Sequence, residues 1–216
     1  MGLYSKFILP GVVHHACGQK PAMKQRRKII PLAEGRVLEI GIGSGLNVPF
    51  YDPERVSHLW GLDPSSEMWT IAGKNAEDHH LDAEFIEAGA EAIPLERDSA
   101  DTVVMTYTLC TIPDVQQALD EVRRVLRPGG KLLFCEHGEA PDESIRKWQE
   151  RMSPAWKFLG GGCHLNRPIP RLLDSAGFES DDMQTMYIPG WKPACFNYWG
   201  TANVKRKTRG QSKKPK

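Results

Sequence analysis

The sequence predicts an α/β fold: a doubly wound, mostly parallel sheet of about seven strands, closed by a C-terminal antiparallel hairpin. Three observations carry this. Short apolar runs alternate with helical stretches from residue 36 onward. The first run, Val37-Leu38-Glu39-Ile40, ends in Gly41-Ile42-Gly43-Ser44-Gly45, a strand entering a turn without side-chain bulk. The last two strand-like runs, 183–188 and 196–204, follow one another with no helix between them.

The elements follow in order. Residues 1–35 precede the first strand and carry Tyr4, Phe7, His14, His15, Cys17 and a basic helix-like run from Met23 to Ile30. In this fold class such a segment often lies across the ligand cleft as a lid, while the plainer expectation for any one of these residues is surface or packing. After the glycine turn, Pro49 and Pro53 limit a short helix. Val56 to Leu62 is the second strand and ends in Asp63-Pro64-Ser65. An acid about twenty residues past the glycine turn can accept hydrogen bonds from ribose hydroxyls. Asp63 or Ser65 can equally cap the next helix, with Pro64 in its first turn. Ser66 to His80 reads as that helix, and Ala83 to Ala88 as the third strand, leading into Gly89-Ala90-Glu91-Ala92-Ile93-Pro94.

The fourth strand, Thr102 to Thr106, runs into Tyr107-Thr108-Leu109-Cys110. Ligands of open α/β sheets bind beyond the carboxyl ends of the strands, so Thr106 and Tyr107 belong at the reacting end. A helix opens at Thr111-Ile112-Pro113-Asp114 and carries Ala118, Val122 and Val125 on one face; Gly129 and Gly130 stop it. The fifth strand, Lys131 to Cys135, delivers Glu136-His137 to the same edge. A helix over Ser144 to Met152, the stretch Ser153-Pro154-Ala155-Trp156-Lys157, a glycine-rich loop at 160–167 and a helix over Arg167 to Ala176 precede the hairpin.

Composition limits the function classes. Hydrophobic content of 40% and charged content of 25% are those of an ordinary globular chain, and 216 residues suffice for one domain with tails. Seven of the 28 basic residues lie in 205–216, with no acid there, so the rest of the chain holds 21 bases against 27 acids. The tail reads as disordered and solubilising, and nucleic acid as a partner is disfavoured. Five cysteines without a C-x-x-C suggest neither a disulfide framework nor a metal site, which points to the cytoplasm. No apolar run reaches spanning length, and Pro10, Gly11, His14 and His15 break any signal-peptide pattern.

The glycine turn admits two readings. A dinucleotide fingerprint wants G-x-G-x-x-G, and from Gly41 its sixth place is Leu46. The stretch Glu39-x-Gly41-x-Gly43-x-Gly45, running on to Asn47, instead resembles motif I of the class I S-adenosylmethionine (SAM)-dependent methyltransferases. That resemblance implies a Rossmann-like fold over 36–204 and SAM as cofactor. The glycine loop would pass under its methionine part, Glu39 would lie near its amino group, and Asp63 and Pro64 would flank the ribose. Ala90-Glu91 resembles the family's adenine loop, although Gly89 stands where its usual Asp or Asn would be, leaving the backbone around Ala90 and Glu91 to hold the ring. Glu121 to Gly130 is a string common in the same class.

The second half is narrower. Glu136-His137, Pro154-Ala155-Trp156-Lys157, Gly160 to Arg167 and Cys110 look like the methyltransferase-like group that includes alkyl-thiol methyltransferases. The group's N-terminal hydrophobic anchor has no counterpart here, which implies a soluble form. The expected activity is in-line methyl transfer to a small-molecule acceptor, a small thiol first. O- or N-methylation of another metabolite, a non-catalytic SAM sensor and a nicotinamide oxidoreductase stand as alternatives. The absence of N/D-P-P-Y/F after the fourth strand argues against base or glutamine-amide methylation. Transfer from a sulfonium to a thiolate needs position more than metal, and no metal is expected. His137 is the first candidate base, His164 can close over the site, and Tyr107 can position the acceptor. Cys110 and Cys163 can line a pocket.

Overall fold

A computed structural model describes residues 9–180 and 182–205; Tyr4, Phe7 and the tail from 206 lie outside the described residues. The chain runs α1 (Leu9–Cys17), α2 (Lys20–Ile29), β1 (Gly35–Ile40), β2 (Val56–Asp63), α3 (Trp69–Asp78), β3 (Ala83–Glu87), β4 (Ala100–Thr106), α4 (Val115–Val125) and β5 (Leu126–His137). It continues through α5 (Glu143–Leu159), α6 (Ile169–Ser175), β6 (Phe178–Glu179), β7 (Gln184–Tyr187) and β8 (Phe196–Val204), with single 3₁₀ turns at Ile30–Leu32, Val48–Phe50 and Lys192–Ala194.

The strand order is β3-β2-β1-β4-β5-β8-β6, with β7 also paired to β8. The first five strands are mutually parallel, and β8 is antiparallel to β5, β6 and β7. The chain winds outward from β1 in one direction and from β4 in the other. The crevice therefore opens above the β1–β4 junction, where Ile40 pairs with Met105.

Both faces of the sheet are covered. One packs Leu38, Met105, Leu132 and Phe134 against the stripe Val115, Ala118, Leu119, Val122 and Val125 of α4. The other packs Val37, Leu59, Val104 and Leu133 under Ile29, Ile30 and Ala76. β4 is buried along its whole length, as expected of a central strand covered on both sides.

Three boundaries differ from the sequence reading. The outer strand is split, so the sheet holds eight strand segments in seven positions. Glu179 pairs with Asn203 and Gln184 with Trp199. The Asp182 carboxylate fills the gap by accepting the Thr201 N–H at 2.9 Å. β5 starts at Leu126, and its register with β4 shifts before Lys131, where Gly129 takes φ 84°.

Finally, α5 does not stop before Ser153-Pro154 but runs through Pro154 to Leu159. Proline forfeits one helix hydrogen bond, which side-chain anchoring can offset. Gln149, fully buried, supplies it: its amide donates to the carbonyls of Gly138, Leu165 and Pro193 and accepts from Ala140 N–H, at 2.9–3.0 Å. Among the described residues no helix is long and apolar enough to cross a membrane.

Candidate active site

The glycine turn follows β1 directly. Gly41 and Ile42 both donate to the Leu62 carbonyl, tying the turn to the end of β2. Gly41, Gly43 and Gly45 have φ of 74°, 50° and 75°, values L side chains rarely adopt. Their surroundings differ. A Cβ at Gly41 would overlap the Thr108 hydroxyl, and one at Gly45 would come within 3.1 Å of the α3 backbone at Ala72. A Cβ at Gly43 would meet nothing within 4 Å, so the middle of the loop faces open space. Asp63, at the end of β2, borders that space: one carboxylate oxygen accepts Gly43 N–H and the other Ser65 N–H, both at 3.0 Å. Pro64 beside it is exposed. Asp63 caps no helix, since α3 starts later, after Met68.

Beneath the turn lies a buried polar network. Asn47 donates to Glu39 Oε1 and to Thr106 Oγ1 at 2.9 Å, and Tyr51 OH donates to Glu39 Oε2 at 2.7 Å. Arg26, from α2, donates to Asn47 Oδ1 and to Thr106 Oγ1. Glu39, Asn47 and Thr106 therefore engage one another, and both Glu39 oxygens already have partners. Burial pushes the Glu39 carboxyl up from its ordinary 4.5 to about 7, against the Tyr51 bond, the Arg26 charge and the Asn47 bond. A raised folded-state pKa favours the protonated acid. Its contribution to stability is whole below about 4.5 and is lost as the pH climbs through about 7. Thermal melts across that window should show the wild type losing stability relative to Glu39→Gln, by up to roughly 3 kcal/mol. Parallel pH profiles would contradict this.

The N-terminal helices reach the same place. His14 Nδ1 of α1 lies 2.6 Å from Ser44 Oγ in the glycine turn. His15 points to Gln19, away from it. Arg26 is 4% exposed and its guanidinium stands over the Tyr107 ring at 5.1 Å. On the far side of the crevice Ala90 is buried, while Glu91 accepts Asp114 N–H and its carbonyl accepts the Gln117 amide. Trp69 Nε1 is buried with no partner among the described residues.

The reacting end is built by β4, β5 and the loop after α5. Tyr107 takes φ 54°, a left-handed conformation unusual for a non-glycine residue, and donates its N–H to Cys135 O. The bend aims the N–H groups of Thr108 and Leu109 at Glu136 Oε1, at 2.9 and 3.1 Å. Glu136 is fully buried; burial pushes its carboxyl to about 7 although these two bonds oppose the shift. Tyr107 OH is committed to Asn197 Oδ1 at 2.7 Å.

His164 donates its backbone N–H to Cys110 O, and Arg167 donates to Ile112 O. These two bonds lay the glycine-rich loop onto the β4 loop and bring Cys163 to Cys110. Donor atoms of Cys110, His137 and Cys163 all lie within 4.8 Å of one another, with Cys163 Sγ and His137 Nε2 3.3 Å apart. The Cys110 thiol beside it pushes Cys163 down; burial opposes this and His137 assists. Burial alone would lower the His137 pKa, but Cys163 and the Glu136 charge reverse that and the net shift is upward. Burial lowers the His164 pKa, helped by Arg167.

The structure thus groups the expected residues into three sets: Gly41, Gly43, Gly45 and Asp63 around the open turn, Glu39, Asn47 and Thr106 in its floor, and His137 with two cysteines at the reacting end. Arg26 and Tyr51 join the site without having been singled out, and Glu136, placed at the sheet edge by the sequence, lies beside them without an assigned role. Arg26 was visible in principle: it shares a helical stripe with Ala22, Ile29 and Ile30, an apolar face on which a charge stands out.

Residues 38–134 match the family model described as a methyltransferase domain. A thiol S-methyltransferase TMT1B from Homo sapiens is 38% identical over 177 residues, covering 79% of this chain and 72% of that protein. The Rattus norvegicus TMT1B is 36% identical over 169 residues, covering 76% of this chain and 66% of the relative's length. A SAM-dependent methyltransferase structure from Thermotoga maritima shares the fold with a TM-score of 0.66 at 23% identity, over 94% of this chain and 98% of that one. With a turn open at Gly43, an acid at the end of β2 and this kinship, the chain belongs to the class I SAM-dependent methyltransferases.

Proposed function

We propose that the enzyme transfers the methyl group of SAM to a small thiol, giving a methyl thioether. The carrying observation is the convergence of Cys110, after β4, His137, at the end of β5, and Cys163, in the loop after α5, with their ligand atoms within 4.8 Å of one another. The kinship to thiol S-methyltransferases supports the same acceptor class.

SAM brings an activated methyl on a sulfonium. The backbone from Gly41 to Gly45 would receive its methionine part, over the floor formed by Glu39, Asn47, Thr106 and Arg26. Asp63, with Pro64 beside it, borders the ribose position, and the turn at Ala90-Glu91 the adenine position. Trp69 Nε1 and Arg26 Nε are buried donors without a partner among the described residues. Residues 1–35 serve as a lid, with His14 on the glycine turn and Cys17 near Arg26, Cys163 and Glu136.

At the acceptor end the chain must orient one sulfur against another, exclude water and handle one proton. Orientation can contribute about 7–11 kcal/mol, and proton handling about 10²–10⁴ in rate. His137 and the two cysteines handle the acceptor's sulfur and its proton. Tyr107, held by Asn197, shapes the wall, and His164 holds the loop across it through Cys110. A reducing, cytoplasmic setting suits five unpaired cysteines.

Labelled SAM incubated with matched small thiols, alcohols, phenols and amines is the test. Transfer to the thiols alone is expected. Transfer confined to oxygen or nitrogen acceptors would overturn the reading.

A further inference from the structure

We infer that Cys110, His137 and Cys163 form a three-ligand site for a soft divalent ion of the zinc class, with a fourth position left for the acceptor's sulfur. The inference rests on the thiol reading for the role of that fourth position, not for the existence of the site.

The donor set is the first argument. Two thiolates and one imidazole suit a zinc-class ion better than calcium or magnesium, and three protein ligands with an open position mark a catalytic rather than a closed structural site. Distance is the second. A tetrahedral ion with bonds of about 2.3 Å to sulfur and 2.0–2.1 Å to nitrogen needs donors roughly 3.5–3.8 Å apart. One pair here is 3.3 Å apart and all three atoms fall within 4.8 Å, so shifts on the order of an ångström complete the site.

Enclosure is the third argument. Cys110 is buried and Cys163 partly exposed, so an ion would be shielded on one side and reachable from the crevice on the other. One acceptor next to His137, Glu136 Oε2, is buried without a partner among the described residues. Native interiors seldom leave a buried carboxylate oxygen unpaired. Sequence spacing could not reveal this set, because its members come from one strand end and two separate loops and only the fold unites them.

The chemistry balances. The acceptor thiol ligates as thiolate and its proton passes to solvent, since a coordinated thiol is deprotonated outright. A lone pair on that sulfur forms the new S–C bond as the methyl–sulfonium bond breaks, and the broken bond's pair stays on the cofactor sulfur. The methylated product, a neutral thioether, is a poorer ligand than the thiolate and departs.

The test uses the full chain, kept reduced, stripped with a chelator and titrated with Co²⁺, then Zn²⁺. A thiolate-to-cobalt charge-transfer band saturating at one equivalent, and displaced by Zn²⁺, is expected. Cys163→Ser should weaken cobalt binding by at least about 100-fold, and His137→Gln should do likewise if the first variant fails to fold. Cys195→Ser, outside the site, should bind as the wild type does. No charge-transfer band, or a band that survives in both ligand variants, overturns the site. Full thiol methylation by the stripped protein overturns its catalytic role and leaves the thiol reading standing. One-equivalent uptake with methylation confined to alcohols or amines supports the site and defeats the thiol reading instead.

Discussion

Replacing His137 with alanine is expected to lower turnover on a small thiol by about 10²–10⁴-fold while the SAM dissociation constant stays within about twofold. The two effects separate because the residue sits at the end of β5 against Cys163, whereas the glycine turn and its floor are built from β1, β2, β4 and α2. On the proposed reading, removing the imidazole takes a group away from the acceptor's end of the crevice and leaves the glycine turn and its floor intact. Steady-state kinetics with saturating SAM, paired with calorimetric SAM titration, would read the split. Equal losses in turnover and SAM affinity would place His137 in the cofactor site, and no loss in turnover would remove it from the chemistry.

Alanine at Gly41 and at Gly43 should fail in opposite ways. Both positions require left-handed backbone, which costs a non-glycine residue about 1–2 kcal/mol. At Gly41 the new methyl also overlaps the Thr108 hydroxyl and lies 2.8 Å from its Cβ, and the turn cannot retreat because residues 41 and 42 are bonded to Leu62 O. The summed cost is about 3–5 kcal/mol, enough to unfold much of a marginally stable domain. At Gly43 the methyl enters empty space, so melting should fall only by the left-handed cost. On the proposed cofactor position that same methyl would enter the donor's place, and SAM affinity should drop about 10–100-fold. Denaturant melts and SAM titrations on both variants would distinguish them. A Gly43→Ala protein that binds SAM as well as the wild type would show that the cofactor does not approach the backbone there.

Much of this was legible in the sequence. Alternating runs fixed the first five strands to within a few residues, because a central strand such as β4, buried throughout, must be written in apolar residues. Asp63, Gly43 and His137 could be placed at one edge because sheet topology puts every strand's carboxyl end there. What stayed hidden depended on side chains far apart in the chain. Pro154 reads as a helix stop unless one knows that Gln149 anchors the helix from within. The split outer strand depends on Asp182 capping a backbone group of a different strand. Cys110 and Cys163 look like unrelated small hydrophobes until the His164–Cys110 backbone bond lays one loop on the other.

The guanidinium of Arg26 has a consequence for how this protein can be taken apart. It belongs to a helix that precedes the first strand, yet it completes the floor under the glycine turn by bonding residues 47 and 106. A chimera that swaps everything ahead of β1 would thus exchange a cation from the heart of the donor site along with its cover. On the proposed cofactor position, SAM capture would belong to the assembled chain rather than to the glycine turn by itself.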